Sequence, residues 1–432
     1  MRNIHCLNNI SAYGTDLLTD DYQLVDDLTQ AEGVLVRSAA LHDTAFPESL
    51  QAIARAGAGV NNIPLDRCAE EGIVVFNTPG ANANAVKEIV VCGLMLGSRD
   101  IAGGIAWCRH NAADENIAKA AEEAKKAFAG REVKGKKLGV IGLGAIGAEV
   151  ANIAIDLGMD VYGYDPYVSV GAAWRISSAV HHVTNLDDIF RTCDYMTIHV
   201  PAMEGTIGMI DERACSLMKD GAVFLNFSRD TLVDNAAMAA ALDSGKVHAY
   251  ITDFATPEVM KMERAIVLPH LGASTAEAED NCAMMAVREL MDYLENGNIA
   301  NSVNYPACDM GPVPDGLRRV AVLHANVPNA IARITNVFGD AGVNIENMMN
   351  KARGENAYTM LDLDAGTPGH PDDAIERLSA IEGTLLQQKR RPRDCRGAEA
   401  ARGNVAYANS SMVSPSLSVT MAFFQVRVLP SW

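Results

Sequence analysis

The stretch Leu138–Val150, "LGVIGLGAIGAEV", carries three glycines in a G-x-G-x-x-G frame between an apolar run and a helical pattern. In a strand–turn–helix context each glycine has its own task. Gly142 permits a tight turn, Gly144 lets a pyrophosphate approach the main chain, and Gly147 lets the helix pack closely on the strand. The helix N-terminus then presents free N–H groups and a positive dipole end to the phosphates. This stretch predicts a dinucleotide-binding turn.

An acidic residue at the end of the next apolar run indicates which dinucleotide binds. Asp165 stands eighteen residues beyond Gly147, where a carboxylate accepts hydrogen bonds from a ribose diol and repels a 2′-phosphate. No Lys or Arg occurs between Asp165 and Arg175 to reverse that preference. NAD is therefore expected rather than NADP. The glycine motif alone also fits an adenosylmethionine pocket of a methyltransferase.

Short apolar runs alternate with helical patterns through about residue 300. The runs are continuous rather than alternating, as in parallel strands that are covered on both faces. The pattern predicts an α/β protein with two Rossmann-like, doubly wound parallel-sheet domains and a small βαββαβ C-terminal domain. The predicted strands of the α/β part are 34–38, 73–77, 137–142, 160–165, 194–200, 222–227, 248–253 and 265–269.

Five parts are expected along the chain, and composition marks two of them, a linker and a tail. We expect a discontinuous substrate-binding domain (1–97 and 276–300), an NAD-binding domain (98–275), a linker rich in Asn, Pro and Gly (301–317) and a small C-terminal unit (318–388). The tail, 389–432, is basic and then Ser-rich, and disorder is one interpretation of it. In place of the last expected strand of the C-terminal unit stands this tail, although the apolar residues 418–430 have strand character.

Charge and cysteine usage restrict the setting in which the protein works. A net charge of −18 argues against binding to nucleic acid or to an anionic membrane. The N-terminal residues lack a signal-peptide pattern, and no apolar run is long enough to span a bilayer. Nine scattered cysteines without a metal-ligand spacing indicate reduced thiols. We expect a cytoplasmic protein without a metal site.

Four residues after predicted strands have the chemistry that oxidation of a 2-hydroxy acid requires: Arg229, Asp253, Glu258 and His270. A guanidinium holds a carboxylate through two parallel hydrogen bonds. An imidazole takes the hydroxyl proton as hydride leaves for a nicotinamide. A carboxylate beside the imidazole fixes its tautomer and raises its pKa. Loops at the carboxyl ends of parallel strands form the ligand crevice of such folds.

The stretches "VIGLGAIG", "GYDPY", "TIHVP", "NFSRDTLVD" and "PHLGAST" resemble those of the D-isomer-specific 2-hydroxyacid dehydrogenase family, and the resemblance covers residues 1–384. It implies that Arg229 binds the substrate carboxylate and that Glu258 and His270 form the acid–base pair. The positions implied for NAD are Gly142, Gly144, Ala145, Ile146, Gly147, Asp165, His199, Val200, Pro201, Phe227, Ser228, Arg229, Asp253, His270, Gly272 and Ala273.

Two further stretches, "RAGAGVNNIP" (55–64) and "NTPGANANAVKE" (77–88), resemble the substrate loops of family members that act on 3-phospho-D-glycerate. The resemblance implies NAD-dependent oxidation of that acid to 3-phosphooxypyruvate, with Arg55, Gly59 and Asn62 in the substrate loop and Arg55 as the candidate for the phosphate. Another D-2-hydroxyacid activity, on hydroxypyruvate, glyoxylate or 2-hydroxyglutarate, is the alternative. A non-catalytic NAD-sensing protein that binds partners is a remote one.

The C-terminal unit resembles an ACT domain, a module that binds amino acids. The resemblance implies serine as an effector, with His324, Asn326 and Asn344 as candidate contacts, and a homodimer or homotetramer. A purely oligomerising role is the alternative. Asn329 stands where the family carries glycine.

Overall fold

The computed structural model describes residues 1–364 and 372–378, together with the backbone of 424–428. By packing, the chain divides into two compact units, Met1–Thr78 with Ala283–Trp432, and Pro79–Cys282. Each unit is built around a parallel sheet, and the first also contains an antiparallel sheet. This α/β architecture confirms the predicted fold class.

The first unit begins with a five-stranded parallel sheet of order β2-β1-β3-β4-β5. Strands β3 to β5 are almost wholly buried, which explains their continuous apolar sequences. The strands are β1 (Arg2–Cys6), β2 (Tyr22–Leu24), β3 (Gly33–Val36), β4 (Ala52–Arg55) and β5 (Val74–Phe76), with helices α1 (Ala12–Thr15) and α2 (Leu65–Glu70) and a 3₁₀ turn at Leu28–Gln30.

The second unit holds a seven-stranded parallel sheet. Its strands are β6 (Lys137–Ile141), β7 (Asp160–Tyr164), β8 (His181–His182), β9 (Tyr195–Ile198), β10 (Ala222–Asn226), β11 (Val247–Thr252) and β12 (Ala265–Val267). The order β12-β11-β10-β9-β6-β7-β8 means that the chain reverses its direction of winding between β6 and β9. Ligands of doubly wound sheets bind at the carboxyl ends of the strands beside such a reversal.

Helices cover both faces of this sheet. Val223 and Leu225 of β10 enter one hydrophobic cluster, whereas Phe224 between them enters the other, because side chains alternate along a strand. The helices of the unit are α3 (Ala83–Ser98), α4 (Ile101–His110), α5 (Ile117–Ala124), α6 (Ala145–Asp156), α7 (Val170–Ala173), α8 (Leu186–Thr192), α9 (Glu212–Leu217) and α10 (Asn235–Asp243), with 3₁₀ turns at Lys125–Phe128, Asp230–Leu232 and Val259–Lys261.

The packing boundaries lie at 78/79 and 282/283, whereas the expected domain boundaries are 97/98 and 275/276. Helix α3 accounts for the first difference. Its residues Val86, Val90 and Leu94 are buried in the core of the seven-stranded sheet. The second boundary falls inside the long helix α11 (Ala276–Asn296).

The expected linker after α11 is a packed element rather than a loose connection. Ser302 forms an antiparallel bridge with Phe76, and the buried Asn304 side chain accepts from the N–H of Val75 and donates to the carbonyl of Ile73. Asn304 supplies both a donor and an acceptor, so it satisfies two groups along the free edge of β5.

The C-terminal unit is an antiparallel sheet of order β14-β15-β13-β16, with β13 (Leu317–Ala325), β14 (Ile345–Arg353), β15 (Asn356–Asp364) and β16 (Phe424–Val428). Helix α12 (Ala330–Asp340) follows β13, and residues 372–378 are helical. The order of elements is therefore the predicted βαββαβ. Its last strand comes from the atypical tail, in which 389–423 and 429–432 lie outside the described residues.

Within the described part of the chain, no single helix is long and apolar enough to cross a membrane. Helices α3 and α4 pass that test only as a pair, which is bent by 71°.

Candidate active site

The glycine loop has the geometry that its sequence predicts. Gly142 follows β6 with a φ of +90°, and a Cβ there would lie 2.5 Å from the carbonyl oxygen of His199. A Cβ on Gly147 would lie 1.9 Å from the oxygen of Gly142. At Gly144, no described atom lies within 4 Å of the Cβ position, and no described side chain caps α6. The loop is closed on the protein side and open where a diphosphate would approach.

Asp165, directly after β7, is bound to this loop. Its Oδ2 accepts from the N–H of Leu143 at 2.8 Å, and its Oδ1 accepts from the N–H of Tyr167 at 2.8 Å. Each carboxylate oxygen retains acceptor capacity for a ribose hydroxyl. The sequence predicted the ribose role but not the hydrogen bond from Leu143, which fixes the position of Asp165 relative to the glycine turn.

His199 follows β9 at the winding reversal. Its Nε2 lies 2.9 Å from the Thr197 hydroxyl, while its buried Nδ1 has no hydrogen-bond partner among the described residues. Burial lowers the pKa of His199 to about 3, so the ring is neutral. Val200 and Pro201 continue the loop.

Arg229 is held at the end of β10 by its neighbours. Asn226 donates from Nδ2 to the Arg229 carbonyl at 2.8 Å, and the guanidinium donates to the Ser228 carbonyl at 2.5 Å. Phe227 and Ser228 are buried, and the Ser228 hydroxyl donates to the Ile198 carbonyl at 2.9 Å. Sequence analysis missed Asn226, whose only signal is a polar residue at the end of a buried strand.

Asp253 directly follows β11 and is only 2% exposed. Its Oδ2 accepts from the N–H of Gly272 at 2.8 Å, whereas its Oδ1 is buried without a hydrogen-bond partner among the described residues. Burial raises the pKa of Asp253, and the Gly272 N–H and the charges of His270 and Arg229 act in the opposite direction. The N–H of His270 donates to the Asp253 carbonyl at 2.9 Å, so these two residues lie side by side.

The structure does not pair Glu258 with His270. Glu258 is exposed at the start of a 3₁₀ turn, and within the described chain neither side chain makes a hydrogen bond or ion pair to the other. The His270 ring instead packs edge-on against Phe254, with 5.3 Å between ring centroids. His270 has a φ of +50°, a conformation that is uncommon outside glycine and frequent at functional sites. Catalytic hydrogen bonds often form fully only in the substrate complex.

The predicted substrate loop lies in the first unit, after β4. Arg55 donates from Nε to the Arg37 carbonyl at 3.1 Å, and Asn62 donates from Nδ2 to the Ala39 carbonyl at 2.8 Å. Gly57 has a φ of +147°, and a Cβ there would lie 2.3 Å from the Arg55 guanidinium. Gly59 is half-buried. The loop is thus held against Arg37 and Ala39, which directly follow β3.

The three candidate effector residues differ in their environment. His324 is 5% exposed, its ring nitrogens lie 2.8 Å from the Ala325 carbonyl and 2.9 Å from the Thr359 hydroxyl, and burial lowers its pKa. Asn326 donates to the Gly354 carbonyl, and the exposed Asn344 donates to Glu346. Asn329 has a φ of +66°, a left-handed conformation that asparagine tolerates better than most residues, which explains how it replaces glycine.

Comparison with known proteins supplies the family. Residues 101–272 match the model of the D-isomer specific 2-hydroxyacid dehydrogenase NAD-binding domain. A D-3-phosphoglycerate dehydrogenase of Escherichia coli is 31% identical over 381 residues, which are 85% of this chain and 88% of that protein. The chain belongs to the D-isomer-specific 2-hydroxyacid dehydrogenases. A Haemophilus influenzae D-3-phosphoglycerate dehydrogenase is 29% identical over 76% of this dehydrogenase and 78% of its own length.

A solved structure agrees with this assignment. The NAD⁺-bound 3-phosphoglycerate dehydrogenase of Entamoeba histolytica has 25% sequence identity and a TM-score of 0.56, over 70% of this dehydrogenase and 98% of that chain. This dehydrogenase is accordingly an NAD-dependent oxidoreductase.

The residues of the site fit NAD. The open approach at Gly144 suits the diphosphate, and the acceptor pair of Asp165 suits the adenosine ribose. Asp253 Oδ1 and His199 Nδ1, which are buried without a hydrogen-bond partner in the described part of the chain, retain hydrogen-bonding capacity for polar groups of a dinucleotide. Among the described residues, no group of three or more His, Cys, Asp or Glu side chains is placed to hold a metal ion.

Proposed function

We propose that this dehydrogenase oxidises 3-phospho-D-glycerate to 3-phosphooxypyruvate with NAD, the first step of serine biosynthesis by the phosphorylated route, in the cytoplasm. The observation that carries the proposal is the arrangement after three adjacent parallel strands. Arg229 follows β10, Asp253 follows β11 and His270 follows β12, on the same sheet as the glycine loop. The names of the relatives that span most of the chain support the choice of substrate.

In the proposed reaction, Arg229 binds the substrate carboxylate through two hydrogen bonds and thereby orients C2. His270 takes the proton of the C2 hydroxyl as the C2–H bond breaks. NAD supplies the hydride acceptor. The products are the ketone and a protonated His270, whose charge the carboxylates of Asp253 and Glu258 stabilise. Arg55, Gly59 and Asn62 bind the phosphorylated end of the substrate.

The first test measures absorbance at the reduced-nicotinamide band with NAD and 3-phosphoglycerate. We expect NADH to form with this acid. In the reverse assay, which supplies NADH, we expect little turnover of glyoxylate or hydroxypyruvate. Activity with glyoxylate and none with the phosphorylated acid would assign the protein to the reductases instead.

The proton-transfer role is tested with His270→Ala, which should lose turnover while NAD binding stays near that of the wild type. The exposed His182→Ala is the matched control and should behave as the wild type. Full activity in His270→Ala would remove the assignment. For Glu258→Gln, we expect a shifted pH profile of kcat/KM, because the imidazolium loses a carboxylate partner; an unchanged profile would exclude Glu258 from the pair.

We propose in addition that the C-terminal unit is an ACT module that binds serine near Asn326 and Asn344, and that the enzyme is a homodimer or homotetramer. The βαββαβ order and the exposure of two of the three candidate residues, Asn326 and Asn344, support this assignment. The two bonded ring nitrogens of His324 favour a structural role for that residue. Titration of turnover with serine tests the effector, and sedimentation measures the oligomer; turnover that does not respond to serine would leave the unit an oligomerising role.

A further inference from the structure

A buried carboxyl group in the first unit has no part in the proposed chemistry. Glu289 lies on α11 and is 9% exposed. Its Oε1 accepts from Asn301 Nδ2 at 2.5 Å, and its Oε2 is buried without a hydrogen-bond partner among the described residues. Burial raises the pKa of Glu289 to about 7, and the hydrogen bond from Asn301 acts in the opposite direction. A group that is costly to bury needs a structural or functional reason.

The partner of Glu289 leads to the end of β5. The Asn301 carbonyl accepts from the N–H of Asn77 at 3.3 Å. The next residues of the same segment run along β5, through the Ser302–Phe76 bridge and a hydrogen bond from Val303 N–H to the Val75 carbonyl at 2.9 Å. The Glu289–Asn301 contact thus fixes the start of a segment that covers the edge of β5 and the residue that follows it.

From the end of β5 the contacts continue into the predicted substrate loop. Asn77 donates from Nδ2 to the Ala58 carbonyl at 2.6 Å. Thr78, which is fully buried, accepts at Oγ1 from the N–H of Gly57 at 2.8 Å and donates its own N–H to the Gly57 carbonyl at 3.1 Å. Gly57 and Ala58 stand between Arg55 and Gly59, the residues assigned to the substrate.

We propose that Glu289 and Asn301 are positioning residues, which hold the Asn77–Thr78 backbone and through it the Gly57–Ala58 loop in the conformation that binds substrate. The effect on catalysis rests on the proposed function, whereas the effect on the loop does not. Neither residue is assigned a contact with substrate or cofactor. A substrate-binding loop held within a fraction of an ångström loses less conformational freedom on binding.

The kinetic test uses Glu289→Ala, Glu289→Gln and Asn301→Ala, with the exposed neighbour Arg288→Ala as the matched control. Because Gln retains an acceptor oxygen for Asn301, we expect Glu289→Gln to keep a KM near that of the wild type. We expect Glu289→Ala and Asn301→Ala to raise KM for 3-phosphoglycerate about tenfold. Their kcat and their Kd for NAD should stay within about twofold of the wild type.

A loss of kcat and NAD affinity in parallel with KM would indicate general destabilisation and overturn the proposal, as would an unchanged KM in both Ala variants. If Glu289→Ala does not fold, the variants Asn301→Ala and Asn301→Asp test the positioning role instead. In Asn301→Asp a second carboxyl faces Glu289, and like charges repel once both ionise. We therefore expect its KM to rise with pH relative to the wild type, and a constant ratio would contradict the proposal.

Hydrogen exchange separates this proposal from the proposed function. We expect faster amide exchange in residues 55–60 and at Asn77 in the two Ala variants and not in Glu289→Gln or Arg288→Ala, without any substrate present. Unchanged exchange in the Ala variants would overturn the positioning role even if the wild type oxidises 3-phosphoglycerate. If exchange is faster in the Ala variants but the wild type does not oxidise 3-phosphoglycerate, the positioning role holds and the proposed substrate is rejected.

Discussion

The three glycines of the loop are needed for two different reasons. Gly142 and Gly147 face backbone oxygen atoms so closely that a Cβ cannot fit, whereas Gly144 faces open space. The first pair therefore serves the fold, whereas Gly144 leaves open the space in which the motif predicts the ligand. The sequence predicted the three tasks from the motif, and the structure supplies the distances that separate them.

Substitutions at two of these positions should separate folding from binding. Gly147→Ala puts a methyl group 1.9 Å from a backbone oxygen that cannot move cheaply, and we expect a loss of stability of about 1–3 kcal/mol. Gly144→Ala meets no described atom and should cost at most about 1 kcal/mol, as a helix N-cap change. It should, however, weaken NAD binding about tenfold or more. Thermal unfolding measures the change in stability, and a fluorescence titration with NADH measures the change in affinity. If both variants lost the same stability and the same affinity, the separation of folding from binding would be contradicted.

Asp165 should govern the choice between NAD and NADP. Asp165→Asn removes the negative charge and retains one acceptor oxygen for the loop N–H groups. We expect the ratio of the Kd for NADP to that for NAD to fall by about tenfold or more, since repulsion of the 2′-phosphate is lost. The exposed Asp156→Asn, at the end of α6, serves as a control of equal charge change. A ratio that stays at the wild-type value would show that another group discriminates.

Among the elements, the long helix α11 combines an ordinary amphipathic pattern with one buried acid. Residues 275–297 have the apolar periodicity of a helix, and the observed helix is Ala276–Asn296. This periodicity gave no sign that Glu289 faces inward, because Glu is common on exposed helix surfaces. The segment after the helix, which runs along β5, contacts Glu289 through Asn301.

Glu289 should make stability depend on pH. Its pKa is about 7 in the folded protein against 4.5 for an ordinary glutamate, so the folded state binds more protons between these two pH values. Stability is then lost as pH rises from about 4.5 to 7, by on the order of 3 kcal/mol from this group. Glu289→Gln lacks this loss, so its advantage over the wild type should grow across that window in urea unfolding. Arg288→Ala should follow the wild-type slope. A difference between Glu289→Gln and the wild type that is independent of pH would contradict the assignment.

The tail shows the limit of local sequence patterns at the scale of one strand. Residues 389–432 have a composition unlike that of the preceding domain, yet Phe424–Val428 pairs antiparallel with β13 from Val320 to His324. The strand character of 418–430 was recognised, whereas β1, β2, β4 and β8 were not predicted, since these strands are short and rich in polar or small residues. Pairing with a neighbouring strand, which lies far away in sequence, decides such cases.

In the first unit as a whole, the C-terminal sheet is anchored by a buried ion pair. Arg319 is 0% exposed and makes two hydrogen bonds to Asp362, at 2.6 and 2.9 Å. It also donates to the carbonyls of Asn296 and Gly311, at 3.1 and 2.6 Å. The guanidinium thus joins β13 and β15 to the end of α11 and to the segment predicted as a linker.

Removal of one partner should leave a buried, uncompensated charge. We expect Arg319→Met to reduce the free energy of unfolding by about 3–5 kcal/mol. The double variant Arg319→Met with Asp362→Leu should recover much of that loss, because no isolated charge remains. Chemical unfolding of the full chain measures both; the exposed Arg333→Met on α12 is the control. A double variant as unstable as the single one would mean that the carbonyl contacts, rather than the charge, dominate.

The sequence by itself determined the α/β class, the glycine turn and the strand-end positions of Arg229, Asp253 and His270, whereas the ribose role of Asp165 stays a prediction. These features depend on local periodicity and on residue chemistry at fixed spacing, which the chain carries in any context. The tertiary structure alone decided the packing boundaries, the strand that β16 pairs with and the inward position of Glu289. Each of these depends on which distant segment covers a given face, and burial by a distant segment leaves no periodic trace in the local sequence.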